Sequence, residues 1–160
     1  MVKEININDK LPSFSLEATR VVTCKDSDLL GNWSVLFIYP KDNTSGCTRE
    51  AREFNDRYSE FYSAGVRIFG VSKDTLASHT SFSKKLNLQF PLISDPQTRL
   101  IQSLNAWKEK SMYGKKYMGA ERSTFLIDKT LTVKYIWRKV KVEGHVNEVF
   151  DKYQELIKDK

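Results

Sequence analysis

Short apolar runs alternate along this chain with stretches of helical periodicity. WSVLFIY (33–39) is almost continuously apolar over the length of one strand, the pattern of a strand buried on both faces. Pro40 ends it. Ala51, Phe54, Tyr58, Phe61 and Tyr62 recur at steps of about three and four, which predicts an amphipathic helix over 48–64 with Gly65 as its stop. VRIFGV (66–71) predicts a second buried strand. Residues 75–87 predict a helix with Leu76, Phe82 and Leu86 inward, and FPLISD (90–95) a third, short strand. Pro96 suits the opening of a helix running through Leu104.

The flanks add to this series. LPSFSLEA (11–18) and VVTCK (21–25) are short and β-like, and DSDLLGN (26–32) has a cap-like start and a Gly-Asn stop. STFLID (123–128) and LTVKYIW (131–137) predict a hairpin turning near Asp128-Lys129-Thr130. A last helix is expected over 144–158, with Val146, Val149, Phe150, Tyr153 and Ile157 on one stripe. The Lys-rich segment 107–117, with Trp107 and Tyr113, reads as a surface loop that either lines substrate access or covers the core edge. Strands alternating with helices, then a hairpin and a helix, predict an α/β protein. Its central mixed β-sheet carries helices on both faces and an N-terminal β extension. A thioredoxin-like fold fits that order, and so do several other α/β folds.

At 160 residues one domain spanning 1–160 is expected. Hydrophobic residues make up 40% and aromatics 12%, too many for a disordered chain. The first nine residues carry no cationic stretch followed by an apolar run, which predicts no secretory signal. No run approaches the roughly 20 apolar residues of a membrane helix. With two cysteines, Cys24 and Cys47, a disulfide scaffold is excluded and a reducing cytoplasm is the expected compartment. His79 and His145 stand far from each other and from both cysteines, so no metal site and no cofactor are expected. The net charge of +6 is spread among interleaved acids, and WRKVKV (137–142) reads as a strand end with one wet face. No nucleic-acid partner is therefore expected.

The chemistry concentrates at Cys47. The thiol falls where a central strand has ended and a helix begins, beyond the carboxyl end of the sheet. Free N–H groups and positive partial charge at a helix start favour thiolate over thiol. Arg49 and Arg52 add positive charge, partly cancelled by Glu50 and Glu53. The neighbours Asn43, Thr44, Ser45, Gly46 and Thr48 are not core residues, which argues against a buried packing cysteine. Thr44 itself has a plain turn or cap role as its alternative. In the stretch TSGC (44–47) a threonine occupies the first position of a Cys-x-x-Cys site, so no one-turn disulfide forms and dithiol–disulfide exchange of the thioredoxin kind is not expected.

The spacing P-x-x-x-T-x-x-C, carried by Pro40, Thr44 and Cys47, resembles the signature of the peroxiredoxins. FIYPKDNTSGCTREAREF (37–54) resembles their bacterioferritin comigratory protein, or peroxiredoxin Q, branch. LISDP (92–96), AWKEKSMYGKKYMGAERSTFLID (106–128) and KVKVEGHVNEVF (139–150) extend the likeness over essentially the whole chain. The resemblance implies a thioredoxin-like fold and a thiol-dependent peroxidase acting on hydrogen peroxide and organic hydroperoxides, in antioxidant defence. It implies that Cys47 is the peroxidatic cysteine and that Thr44 hydrogen-bonds thiolate and peroxide. It further implies that Pro40 shields the pocket and that Arg122 is the catalytic arginine. The backbone N–H groups of Gly46 and Cys47 would steady the departing oxygen. A monomer or weak dimer is implied as well. The alternative function is a peroxide sensor or chaperone-like protein that uses the same cysteine without turnover.

Two positions depart from the branch. Ser45 replaces its common proline, and Arg52 stands where many members carry a resolving cysteine. Cys24 is the remaining internal candidate for that role, with core packing as its alternative. The favoured expectation is a one-cysteine cycle completed by thioredoxin, glutaredoxin or a low-molecular-weight thiol. His145 is expected to pack or cap a helix start, and Glu50 to be a solvated carboxylate with orientation of Arg122 as its alternative.

Overall fold

The computed structural model describes residues 4–158. Five strands form the main sheet: β3 (Trp33–Ile38), β4 (Val66–Ser72), β5 (Leu92–Ser94), β8 (Ser123–Ile127) and β9 (Val133–Trp137). Their spatial order is β5-β4-β3-β8-β9. β3, β4 and β5 run parallel, β8 runs antiparallel beside β3, and β9 pairs antiparallel with β8. An antiparallel pair, β1 (Ser15–Glu17) and β2 (Thr23–Lys25), forms the N-terminal extension, followed by a short 3₁₀ turn at Asp26–Leu29. The mixed α/β architecture of the sequence reading is thus present.

Every residue of β3 is buried, because the strand has a core on each face. Val35, Phe37 and Tyr39 join one cluster with residues of α1 (Ser45–Asp56), α2 (Tyr58–Ser63), α3 (Leu76–Leu86) and α5 (His145–Lys158). Leu36 and Ile38 join the other, with Leu100 and Ile101 of α4 (Arg99–Ser103) and with Leu11, Ala18 and Cys24 of the extension. Alternate side chains of one strand therefore supply both cores.

Four local expectations need correction. The helix expected over 48–64 starts earlier, at Ser45, and breaks at Arg57, where φ is −105° and ψ 13°. Asn55 and Asp56 are weak helix formers, and the Asn55 side chain instead bonds the backbone of Asn87 and Gln89. Apolar periodicity runs across this break because Phe54 and Phe61 still enter the same core. Pro96 does not open a helix; α4 is five residues long and begins after Thr98, whose φ is +57°. There the Asp95 carboxylate accepts from the Ile101 N–H at 2.9 Å. The strand ending in WRKVKV stops at Trp137, short of its basic residues.

The fourth correction is the segment 107–117. It forms a hairpin of β6 (Trp107–Met112) and β7 (Lys115–Ala120), turning at Tyr113 and Gly114 with φ of +55° and +79°. Two consecutive positive φ angles are what a tight hairpin turn requires. Most residues of both strands are exposed, so no apolar alternation marks them in the sequence. Trp107 covers the edge of the second core, and Tyr113 stands 98% exposed at the tip.

Candidate active site

Thr44 has extended backbone angles and caps α1, which makes Ser45, Gly46 and Cys47 its first turn. The first intrahelical bond runs from the Thr48 N–H to the Thr44 carbonyl at 2.9 Å. The N–H groups before it therefore have no helical acceptor and face the region of the thiol. No acidic residue stands in this first turn to offset its positive end. Cys47 is 1% exposed, in the same core cluster as Ala51 and Phe54 of its own helix.

Arg122 arrives by sheet register. Ser123 pairs with Ile38 across β8 and β3, so the residue before it lies beside the end of β3 where the chain turns into 40–44. Its Nη2 donates to Cys47 Sγ at 3.4 Å and its Nη1 to Glu50 Oε1 at 2.7 Å. A Cβ on Gly46 would stand 3.2 Å from that Nη2, so glycine leaves room for the guanidinium. Burial works against the Arg122 charge, and Glu50 and the Cys47 sulfur outweigh it, which holds the guanidinium firmly charged.

Glu50 overturns its expected place in solvent. Its side chain is fully buried, and Oε2 finds no hydrogen-bond partner. Burial pushes the carboxyl up to about 7, against the pull of Arg122. Its neighbour Arg49 is exposed, but residue 50 is buried three positions after the buried Cys47. Only the long-range contact with Arg122 makes a carboxylate tolerable there.

The remaining residues sort around this centre. Pro40 is half-buried at the end of β3. Thr44 is exposed, and its hydroxyl donates to the Lys41 carbonyl at 2.9 Å rather than to the sulfur. Its lone pairs stay able to accept an O–H. Lys110 of β6 was not singled out by the sequence; it is half-buried with its stem over Gly119, and its charge interacts with those of Cys47 and Arg122. Arg52 is exposed on α1. Cys24 belongs to the core on the other face of the sheet, and burial, with Asp28 and Asp26, pushes its thiol up to about 12. It therefore does not share the site. His145 packs edge-on to Phe54 and Trp137 at the start of α5, with Nε2 2.8 Å from Thr124 Oγ1.

The sequence profile of the AhpC/TSA family matches residues 7–136. The chain belongs to that family. It is 43% identical over 152 residues to peroxiredoxin Bcp of Bacillus subtilis, covering 95% of this chain and 97% of that one. A Xylella fastidiosa peroxiredoxin Q structure superposes with a TM-score of 0.91 at 38% identity, over 97% of this chain and 99% of the other. The bacterioferritin comigratory protein of Xanthomonas campestris gives 0.85 at 41% identity, over 89% and 90%. These relatives confirm the thioredoxin-like fold. Members of this branch are peroxiredoxins, and the chain is accordingly a thiol-dependent peroxidase. No helix among the described residues is long and apolar enough to cross a membrane.

Two buried titratable groups near the site set opposite pH slopes on stability. Glu50, raised from 4.5 to about 7, holds a proton in the fold that the unfolded chain has released, so it lowers stability as pH rises through that window. Burial lowers His145 from 6.5 to about 4, with Arg122 helping and Glu148 opposing. The unfolded chain binds that proton first, so this group raises stability as pH rises through its own window. Each displacement corresponds to roughly 3 kcal/mol, and over the shared window the two nearly cancel. Urea melts between pH 4.5 and 6.5 should therefore show His145→Gln losing stability with rising pH relative to the parent chain, and Glu50→Gln gaining it. Parallel curves for all three proteins would show that neither group is displaced.

Proposed function

We propose that the chain reduces hydrogen peroxide and organic hydroperoxides by a one-cysteine cycle, with Cys47 as the peroxidatic residue. The observation that carries this reading is the Arg122 Nη2 to Cys47 Sγ approach of 3.4 Å at a free helix start. A guanidinium so close can donate to the sulfur and to a peroxide oxygen bound beside it. The thiolate attacks the terminal peroxide oxygen, the O–O bond breaks, and the departing oxygen takes a proton to leave as water or alcohol. Arg122 and the N–H groups of Gly46 and Cys47 hold the charge that moves onto this oxygen. The Thr44 hydroxyl receives the peroxide O–H, and Pro40 closes the water-facing side.

Cys47 is left as sulfenic acid. An external thiol attacks its sulfur and releases water, and a second thiol then frees Cys47 and leaves as a disulfide. Arg52 at the usual resolving position, and Cys24 in the opposite core with a disfavoured thiolate, support an external reductant. That reductant is thioredoxin, glutaredoxin or a low-molecular-weight thiol. The Xanthomonas campestris relative is described by alkyl peroxide reduction activity, which supports organic hydroperoxides as substrates here. The cycle suits a single-domain monomer or weak dimer in the cytoplasm.

Steady-state peroxide consumption with each candidate thiol, joined to intact mass after one equivalent of peroxide, tests the cycle. Turnover with a gain of one oxygen, or with a mixed disulfide, is expected. Loss of two hydrogens would reveal a Cys24–Cys47 bond. Consumption that stops after one equivalent despite abundant thiol would instead indicate a sensor.

A further inference from the structure

The segment 40–44 joins β3 to α1 and brings Pro40 and Thr44 to the site. What holds it lies beneath the loop. Asp42 is buried, and its Oδ1 accepts from the Tyr39 hydroxyl at 2.6 Å. Its Oδ2 accepts from the Ser78 hydroxyl and His79 Nδ1, both at 2.8 Å. The Asp42 backbone N–H donates to Asp74 Oδ2 at 2.9 Å. His79 is fully buried, and its other nitrogen, Nε2, lies 3.0 Å from the Ile93 carbonyl oxygen. Both ring nitrogens thus face acceptors. The contact is a buried, hydrogen-bonded pair of carboxylate and imidazole, with the Tyr39 hydroxyl 3.4 Å from the same Nδ1.

Stability alone is a poor account of such a pair, since apolar residues of similar volume commonly serve a core as well or better. Fixing one loop conformation is a different service. Asn43, next after Asp42, has a φ of +66°, a conformation that residues bearing a Cβ rarely adopt. Thr44 follows at once and begins the helix that carries Cys47. The pair ties this turn to α3 through His79 and Ser78, and to β5 through Ile93. Asp42, Asp74 and His79 also bring three metal-ligating atoms within 4.8 Å of one another, but protein hydrogen bonds already engage them.

We propose that the Asp42–His79 pair is a positioning device for the peroxidase reaction: it fixes the turn at Asn43, and so places Thr44 and the first turn of α1 against the peroxide. This rests on the peroxidase reading of Cys47. Neither residue touches substrate. The pair acts through the loop, so its loss disturbs the geometry of peroxide attack without removing the nucleophile.

Two reactions of the same sulfur separate that role from plain packing. Reduction of a hydroperoxide needs Thr44, Arg122 and the helix N–H groups in place, whereas alkylation by iodoacetamide needs only the thiolate. Asp42→Asn keeps the shape of residue 42 and removes the charge. By stopped-flow, its reaction with hydrogen peroxide should be about 10- to 100-fold slower than that of the parent chain, with alkylation within about threefold. Equal peroxide rates overturn the proposal, and so does a fall in both reactions together. If Asp42→Asn does not fold by circular dichroism, His79→Gln takes its place, breaking the pair while Asp42 keeps its Tyr39 and Ser78 donors. A severalfold loss of peroxide rate alone is then expected, and no loss overturns the proposal. Slow peroxide reaction of the parent chain would overturn the peroxidase reading itself, and this inference with it.

Discussion

Cys47→Ser will consume no hydroperoxide with any thiol reductant, yet it will fold. The side chain belongs to the apolar cluster that also holds Ala51 and Phe54, and an oxygen for sulfur exchange changes its volume little. The Arg122 donor that meets Sγ at 3.4 Å can meet a hydroxyl as well, so the buried position stays partnered. A melting temperature within about 4 °C of the parent chain is expected. Chemistry is another matter, because a serine hydroxyl is a weak nucleophile unless an adjacent base activates it. The carboxylate nearest in sequence, Glu50, is committed to Arg122. Consumption assays on Cys47→Ser and Cys24→Ser in parallel check this. Activity that survives the first and vanishes in the second would move the chemistry to Cys24.

Arg122→Met should slow peroxide reduction by about a hundred- to a thousandfold, the usual loss when one preorganised donor to a developing charge is removed. Arg122→Lys should recover part of this. An ammonium keeps the charge but cannot reach Cys47 Sγ and Glu50 Oε1 together through the two arms that span them now. The stability of Arg122→Met will depend on pH in a direction that the buried carboxyl dictates. Without its partner, Glu50 is an unpaired buried charge whenever it is ionised, and its titration already lies near 7. The deficit against the parent chain should therefore be larger at pH 8 than at pH 5. A deficit that is the same at both values would mean that Glu50 does not ionise in the fold.

The strands and helices that carry the site announce themselves locally. The nearly all-apolar run 33–39 has the length and pattern of a strand with a core on each side, and Pro40 followed by a polar loop and a helical stripe brings Cys47 to a helix start. Arg122 is harder, because it meets Cys47 across 75 positions by way of the pairing between β3 and β8, and no short-range pattern records that register. It was legible through family resemblance alone. Glu50 was misread for the same reason. On its own helix it looks like one charge among Arg49, Arg52 and Glu53, and its burial depends on a partner that arrives from the other end of the chain. The hairpin 107–120 escaped because both its faces are wet, leaving the turn at Tyr113 and Gly114 as its one local signal. The break at Arg57 escaped because the apolar stripe continues beyond it.

Gly46 carries a consequence for how such a chain changes over generations. A Cβ there would press on the Arg122 guanidinium at 3.2 Å, while the same guanidinium holds Cys47 and Glu50. Positions 46 and 122 are therefore not free to drift separately. A lineage that enlarges residue 46 first loses the fit of its arginine, and one that shortens residue 122 first strands its buried acid. Each path through single substitutions crosses a poorer enzyme, so the glycine and the arginine are inherited as one character.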